Sequence, residues 1–280
     1  MRYVSYLDSD QTPCWGVVTD SNDIVSSTQL GLVAPTLKKA IASGELASPN
    51  RLNLDSTPTL RLDEVQLQPV IPDFGAMYCT GLNYSDHARE SGKEAPSAPR
   101  IFVRLQNSLV GHDQSIIAPT VSEHFDYEGE LAVVIGRSGR HIPEEEALAH
   151  VFGYTCFMDG SVRDWQKITT TLGKNFEHSG ALGPAIMPAS HVPDVQALTL
   201  TTRLNGRVVQ QANTRDMIFS VAQLISFVST MITLQPGDII ATGTPDGVGQ
   251  SRNPPLWLKI GDDISVTVDG LGTLANRIDA

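Results

Sequence analysis

Acidic residues occupy every second position of Phe125-Asp126-Tyr127-Glu128-Gly129-Glu130, and the chain continues as the apolar run Leu131-Ala132-Val133-Val134-Ile135. Such a stretch reads as a strand. Side chains alternate faces along a strand, so Asp126, Glu128 and Glu130 are expected on one face, about 6.6–6.8 Å apart in succession. A solvated edge strand would tolerate that row. A partly buried strand would not, because like charges this close repel and need a compensating cation. Met158-Asp159-Gly160 puts a further acid at the end of another apolar strand. Carboxylates with no cysteine nearby form a hard oxygen site, suited to Mg²⁺ or Mn²⁺ and unsuited to Zn²⁺.

Asn83-Tyr84-Ser85-Asp86-His87-Ala88-Arg89-Glu90 offers proton-transfer chemistry. If the segment is helical, His87 and Glu90 share a face. A carboxylate beside an imidazole orients it and raises its basicity, as a base acting on water requires; the same spacing also makes a plain surface ion pair. Arg163 and Gln166 follow Asp159 closely enough for a helix starting there to aim both back at the acid, Lys174 lies in Gly173-Lys174-Asn175-Phe176, and Arg104 ends a strand. In an acidic chain, cations near an acidic site suit recognition of a carboxylate or enolate. Thr242-Gly243-Thr244-Pro245-Asp246-Gly247-Val248-Gly249 has neither dinucleotide-loop nor P-loop spacing. It reads either as a tight turn or as backbone N–H groups and a Thr hydroxyl offered to an anion.

The elements that must position these residues are mostly strands. Residues 1–72 are expected as a small separate unit, with strands over 1–7 and 15–19, a short helix over 36–44 between Pro35 and Gly44, a turn-rich stretch over 48–58 and a strand over 65–71. From residue 73 the pattern predicts strands over 77–80, 100–105, 125–136, 155–159, 238–242, 263–268 and 273–278. A hairpin through Asn205-Gly206 is expected over 198–212. Helices are expected over 83–91, from Pro143, over 163–172 with Gly173 ending it, and over 219–232, the last apolar almost all round and so buried. Few helices alternate with strands, which favours a mixed, largely antiparallel sheet or roll over a doubly wound one.

Acids outnumber bases, 31 to 20, for a net charge of −11. No basic stripe offsets this, so nucleic acid and anionic membrane are not expected partners. A local Arg/Lys pocket can still take a small anion. Cys14, Cys79 and Cys156 are scattered and read as reduced, buried residues. No signal peptide and no apolar run of about 18 residues is evident, so a cytoplasmic enzyme is expected.

In this order, Asn83–Glu90, Glu128-Gly129-Glu130-Leu131, Asp159 with Arg163-Asp164-Trp165-Gln166, Gly173-Lys174-Asn175-Phe176, Leu182-Gly183-Pro184 and the turn from Thr242 to Gly249 resemble the fumarylacetoacetate hydrolase family from about residue 73 to the end. The resemblance implies an α+β fold: a mixed, mainly antiparallel β-roll catalytic domain over 73–280 with a small N-terminal α/β domain over 1–72, in a homodimer. It implies Mg²⁺ or Mn²⁺ on Glu128, Glu130 and Asp159, and His87, Glu90 and Lys174 as the catalytic groups. Tyr84, Arg104, Arg163, Gln166 and Thr244 would contact a small anionic dioxo-acid substrate. Arg104 and Glu177-His178 depart from the family's commoner residues, which leaves the substrate open. The expected activity is metal-dependent hydrolysis of the C–C bond of an acylpyruvate, such as maleylpyruvate or fumarylpyruvate, to pyruvate and a carboxylic acid in aromatic-compound catabolism. Isomerisation or decarboxylation of a 2-oxo or 2-hydroxy-dienoic diacid through the same metal enolate, decarboxylation of oxaloacetate included, is the alternative, and a metal-binding protein without turnover is the alternative of another class.

Overall fold

The strand that carries the acids is buried on both faces. In the computed structural model, which describes residues 1–46 and 60–280, every residue of Gly129–Ile135 is buried. Leu131, Val133 and Ile135 point into one core, and Ala132 and Val134 into another. This two-sided burial explains why the stretch reads as a continuous apolar run. Each fully buried Val, Leu or Ile there contributes roughly 1.5–3 kcal/mol.

The main elements, numbered in chain order, are β1 (Arg2–Leu7), β2 (Pro13–Val18), β3 (Asp23–Ser26), α1 (Leu37–Ser43), β4 (Met77–Gly81), α2 (Ser85–Glu90) and β5 (Arg100–Arg104). They continue with β6 (Gly129–Ile135), β7 (Val151–Met158), α3 (Arg163–Gln166), α4 (Thr170–Lys174) and β8 (Gly180–Pro188). The last are β9 (Thr199–Leu204), β10 (Arg207–Asn213), α5 (Val221–Met231), β11 (Ile239–Ala241), β12 (Asp263–Val268) and β13 (Gly272–Asp279). A 12-stranded sheet runs β3-β2-β1-β8-β7-β6-β11-β4-β5, with two-residue strands at its margins. Only β11–β4 is parallel along that path. A 5-stranded sheet, β10-β9-β12-β13 with Ile116–Ile117, packs across its face. One core lies between the sheets, where Leu131 and Val133 meet Val266, Val268, Leu274 and the inner face of α5. The architecture is the expected mixed, mainly antiparallel α+β fold.

The strands of residues 1–72 extend the same large sheet, since Tyr3 of β1 pairs with Ile186 of β8. Trp15, Leu37 and Ile41 share a core with Ala132, Val134 and Phe157. The turn-rich stretch over 48–58 lies outside the described residues.

Several elements differ from expectation. The strand over 125–136 is broken: Phe125–Asp126 pairs with Ser161–Val162 in a separate ladder, and β6 begins only at Gly129. Asp126 Oδ1 accepts the N–H of Tyr127, which turns the chain locally and takes the three acids out of one row. The helix over 163–172 is two helices. Thr169 caps the second by accepting from Leu172 N, within the β-branched run Ile168-Thr169-Thr170-Thr171. Gly173 lies inside α4, where a Cβ would come within 2.6 Å of the Gln166 backbone, so it permits close packing and does not end the helix. A 3₁₀ segment (Glu144–His150) replaces the expected helix after Pro143. The apolar helix α5 is buried on one side only: Phe227, Thr230 and Met231 are exposed. The Asn205-Gly206 hairpin forms, with both residues at positive φ.

Candidate metal centre

Glu128, Glu130 and Asp159 converge because β6 and β7 pair with Gly129 opposite Met158, and Asp159 N donates to Glu128 O at 2.8 Å. One carboxylate oxygen of each lies within 4.8 Å of the others, and all three residues are buried. Gly129, between the two Glu residues, has no room for a side chain: a Cβ would sit 2.0 Å from Thr202 Oγ1 on β9.

Three buried cations face this cluster. Lys174 Nζ donates to Glu128 Oε2 at 2.5 Å and to Asp159 Oδ2 at 2.6 Å. Arg163 Nη2 lies 2.8 Å from Glu128 Oε1, its Nε donates to Asp126 Oδ2 at 2.8 Å, and its Nη1 donates to Gln166 Oε1 at 2.9 Å. Arg104 Nη1 donates to Asp159 Oδ1 at 2.5 Å. Glu130 makes no ion pair among the described residues and accepts only the Gly243 N–H, at 2.8 Å. Burial raises the Glu128 carboxyl, but the Lys174 ammonium and Arg163 guanidinium outweigh it and hold the group at about 2. Burial, then the Asp159 and Glu128 carboxylates, push Glu130 well above the usual carboxylate range. Burial works against the charged form of Lys174, yet Asp159 and Glu128 outweigh it and raise its pKa.

The four buried acids Asp126, Glu128, Glu130 and Asp159 thus outnumber the cations Arg104, Arg163 and Lys174, and the uncompensated one is Glu130. Three hard oxygen donors in a buried cluster with negative charge in excess fit a divalent cation of the Mg²⁺ or Mn²⁺ kind.

His87 and Glu90 stand on α2, where His87 Nδ1 meets Glu90 Oε1 at 2.9 Å. With Nδ1 facing a carboxylate, Nε2 is the ring nitrogen left for proton exchange. Glu90 Oε2 accepts the Gly247 N–H at 2.9 Å, which ties the helix to the Gly-rich turn. That turn gives three of its N–H groups to protein carboxylates. Gly243 donates to Glu130, Gly247 to Glu90, and Gly249 and Gln250 to Asp126. Protein carboxylates fill the role the sequence suggested for a ligand.

His87, Glu128, Glu130, Arg163, Gln166, Lys174 and Thr244 line one cavity of about 770 Å³. Two residues expected to touch substrate are elsewhere. Arg104 lies fully buried behind Asp159, held also by Ser108, Gly160 and Ser179. Tyr84 is buried outside the cavity lining, and its hydroxyl has no hydrogen-bond partner among the described residues.

Sequence reasoning missed Gln210 and the full role of Asn83. Gln210 Oε1 accepts Gly129 N at 2.9 Å, and its Nε2 donates to Thr244 Oγ1 at 2.8 Å and to Pro245 O at 3.0 Å. Thr244 Oγ1 in turn donates to Gly129 O at 2.9 Å. The N–H of the glycine between the ligands is therefore held by the second sheet and its carbonyl by Thr244 of the Gly-rich turn, which Gln210 also holds, and the Thr244 hydroxyl proton is committed inside the protein. Asn83 joins the start of α2 to Phe219 and Thr242 through three hydrogen bonds. Only an amide at an inward strand position hinted at Gln210.

This fold and carboxylate centre define a family: residues 76–279 match the fumarylacetoacetate (FAA) hydrolase C-terminal model, and the chain belongs to the fumarylacetoacetate hydrolase family. It is 39% identical over 259 residues to a mitochondrial oxaloacetate tautomerase FAHD2A of Bos taurus, covering 89% of this chain and 82% of the relative. It is 43% identical over 223 residues to the oxaloacetate tautomerase YisK of Bacillus subtilis (strain 168), covering 78% and 74%. It superposes with a TM-score of 0.83 on the maleylpyruvate hydrolase of Sphingobium sp. SYK-6 in complex with manganese(II) ion and pyruvate, at 28% identity, covering 100% and 99%. No helix among the described residues is long and apolar enough to cross a membrane.

Proposed function

We propose that this protein is a divalent-metal-dependent tautomerase of a 2-oxo diacid, with oxaloacetate as its substrate. The observation that carries the reading is one cavity lined by the imidazole of an oriented His/Glu pair and by two of three clustered carboxylates. The identity to two oxaloacetate tautomerases supports enol–keto exchange as the outcome.

A cation on Glu128, Glu130 and Asp159 would supply Lewis-acid polarisation of the 2-oxo group. The remaining roles belong to side chains. Enol–keto exchange moves one proton off the 2-hydroxyl oxygen and one onto C3. His87 carries the C3 proton at Nε2, while Glu90 holds the ring through Nδ1. Arg163, held between Asp126 and Glu128, keeps Gln166 at the cavity wall. Lys174 bridges Glu128 and Asp159 and holds the two carboxylates together.

Hydrolysis of an acylpyruvate is the second reading, supported by the same pair acting on water and by the likeness to maleylpyruvate hydrolase. One assay separates them. Enol-oxaloacetate absorbance, pyruvate and CO₂ are followed with Mg²⁺ and with EDTA, beside maleylpyruvate and fumarylpyruvate. Accelerated enol loss without pyruvate or CO₂, abolished by EDTA, is the expected result. Pyruvate from an acylpyruvate, with no effect on enol loss, would replace tautomerisation by hydrolysis. The homodimer and the cytoplasmic location belong to the same proposal; light scattering after size exclusion tests the first.

A further inference from the structure

Beside the Gly-rich turn lies a guanidinium that no acid claims. Arg252 follows the turn by a short 3₁₀ segment, Gly249–Ser251. The chain carries a net charge of −11, yet every side-chain hydrogen bond of Arg252 goes to an uncharged oxygen. Nη2 donates to Val209 O at 2.6 Å and to Gly247 O at 3.1 Å. Nε donates to the Tyr127 hydroxyl at 3.0 Å and to Gly247 O at 3.3 Å. The Tyr127 hydroxyl itself donates to Gly247 O at 3.1 Å. One glycine carbonyl thus collects three donors, two of them charge-assisted.

The same glycine faces the proton-transfer pair. Its N–H donates to Glu90 Oε2 at 2.9 Å, while Glu90 Oε1 meets His87 Nδ1 at 2.9 Å. Gly247 sits at φ +93°, and a Cβ there would collide with Val209 O, so the position requires glycine. Glycine has no side chain to anchor it and the widest choice of backbone angles, so the direction of its N–H depends on what grips its carbonyl. Neither Arg252 nor Tyr127 lines the cavity. Their reach to the chemistry therefore runs through Gly247 and Glu90.

We propose that Arg252 and Tyr127 are positioning residues for the proton transfer: by fixing the Gly247 carbonyl they aim its N–H at Glu90, and so set how Glu90 holds the His87 ring. The inference rests on the reading that His87 moves the proton with Glu90 behind it. Tyr127 stands between Asp126 and Glu128 in sequence, so the same contact ties the ligand segment to the proton-transfer helix.

The test is steady-state kinetics of the Mg²⁺-loaded protein on enol-oxaloacetate and maleylpyruvate. Arg252→Met should lower kcat by up to about 10²-fold, the scale of a small misplacement near the reacting groups, with KM and Mn²⁺ affinity unchanged. Tyr127→Phe, which keeps the ring, should lose less in the same direction, and Arg252→Lys should recover part of the loss. In a Glu90→Ala background Arg252→Met should add almost nothing, because both changes then remove one shared contribution. Full additivity of the two substitutions, or a lower melting temperature with kcat unchanged, overturns the positioning role. Turnover by Glu90→Ala equal to that of wild type overturns the base reading, and the proposal with it. The Nδ1–H proton resonance of His87, assigned by its loss in His87→Gln, reports the same geometry without a substrate. It should move or vanish in Arg252→Met; an unchanged resonance overturns the proposal whether or not either acid is turned over.

Discussion

At the scale of single residues, Glu130 is the carboxylate that most needs a cation. It lacks an ion pair, and burial with Asp159 and Glu128 beside it raises its pKa well above the ordinary range. Without metal it therefore keeps a proton to unusually high pH, and a cation must displace that proton to bind. Mn²⁺ affinity, read from the free-ion signal by electron paramagnetic resonance, should rise with pH by up to tenfold per unit until Glu130 ionises, then level off. A Kd independent of pH from 5 to 8 would contradict this. Glu128 has the opposite sign. Its pKa falls from 4.5 to about 2, so its contribution to folding is present above pH 4.5 and is lost as pH falls toward 2. His87→Ala should cut turnover by roughly 10²–10⁴-fold while Mn²⁺ affinity stays as in wild type; unchanged turnover would remove His87 from the base role. Asp126 began as a possible member of a metal row and is instead a buried strut to Arg163, Gly249 and Gln250. Asp126→Ala should cost about 3–5 kcal/mol in urea unfolding, as when one partner of a buried ion pair is removed, with a smaller effect on Mn²⁺ affinity than Glu130→Gln has.

At the scale of elements, the centre depends on how the hairpin β9–β10 meets β6. Thr202 closes over Gly129, and Gln210 clamps Gly129 directly and through Thr244. Hydrogen bonds behind metal ligands typically govern affinity by 10–100-fold. Gln210→Ala should weaken Mn²⁺ binding within that range, and Thr244→Val should weaken it in the same direction. A variant that melts lower yet binds Mn²⁺ as tightly as wild type would make Gln210 a packing residue alone. The Gly-rich turn belongs to the same construction. Its N–H groups bind Glu130, Glu90 and Asp126, so it couples the proton-transfer helix to the ligand strand.

At the scale of the whole molecule, three buried cations and four buried acids gather at the end of the β6–β7 pair, and β6 itself runs between two apolar cores. Saturating the site with Mn²⁺ at about 100 times Kd should stabilise the fold by about 2.7 kcal/mol, seen as a higher melting temperature that EDTA reverses; no shift would mean that the cluster binds no cation. The strands, the hairpin, the Glu128-Gly129-Glu130 and His87/Glu90 spacings, and with them the family, were legible in the sequence. Those features are local: period-two burial, turn residues at positive φ, and short spacings along one element. Gly129 and Glu130 share one strand, and His87 and Glu90 one helix, so their relative placement follows from the chain itself. Only the tertiary structure decided which acid is left uncompensated and that Asp126 turns away to Arg163. It also placed Arg104 behind the site and put Gln210, 81 residues on from Gly129, on the glycine between the ligands. Those outcomes depend on long-range pairing and on the sum of charges in a water-poor space, where a carboxylate's partner comes from a distant segment and no local spacing encodes it.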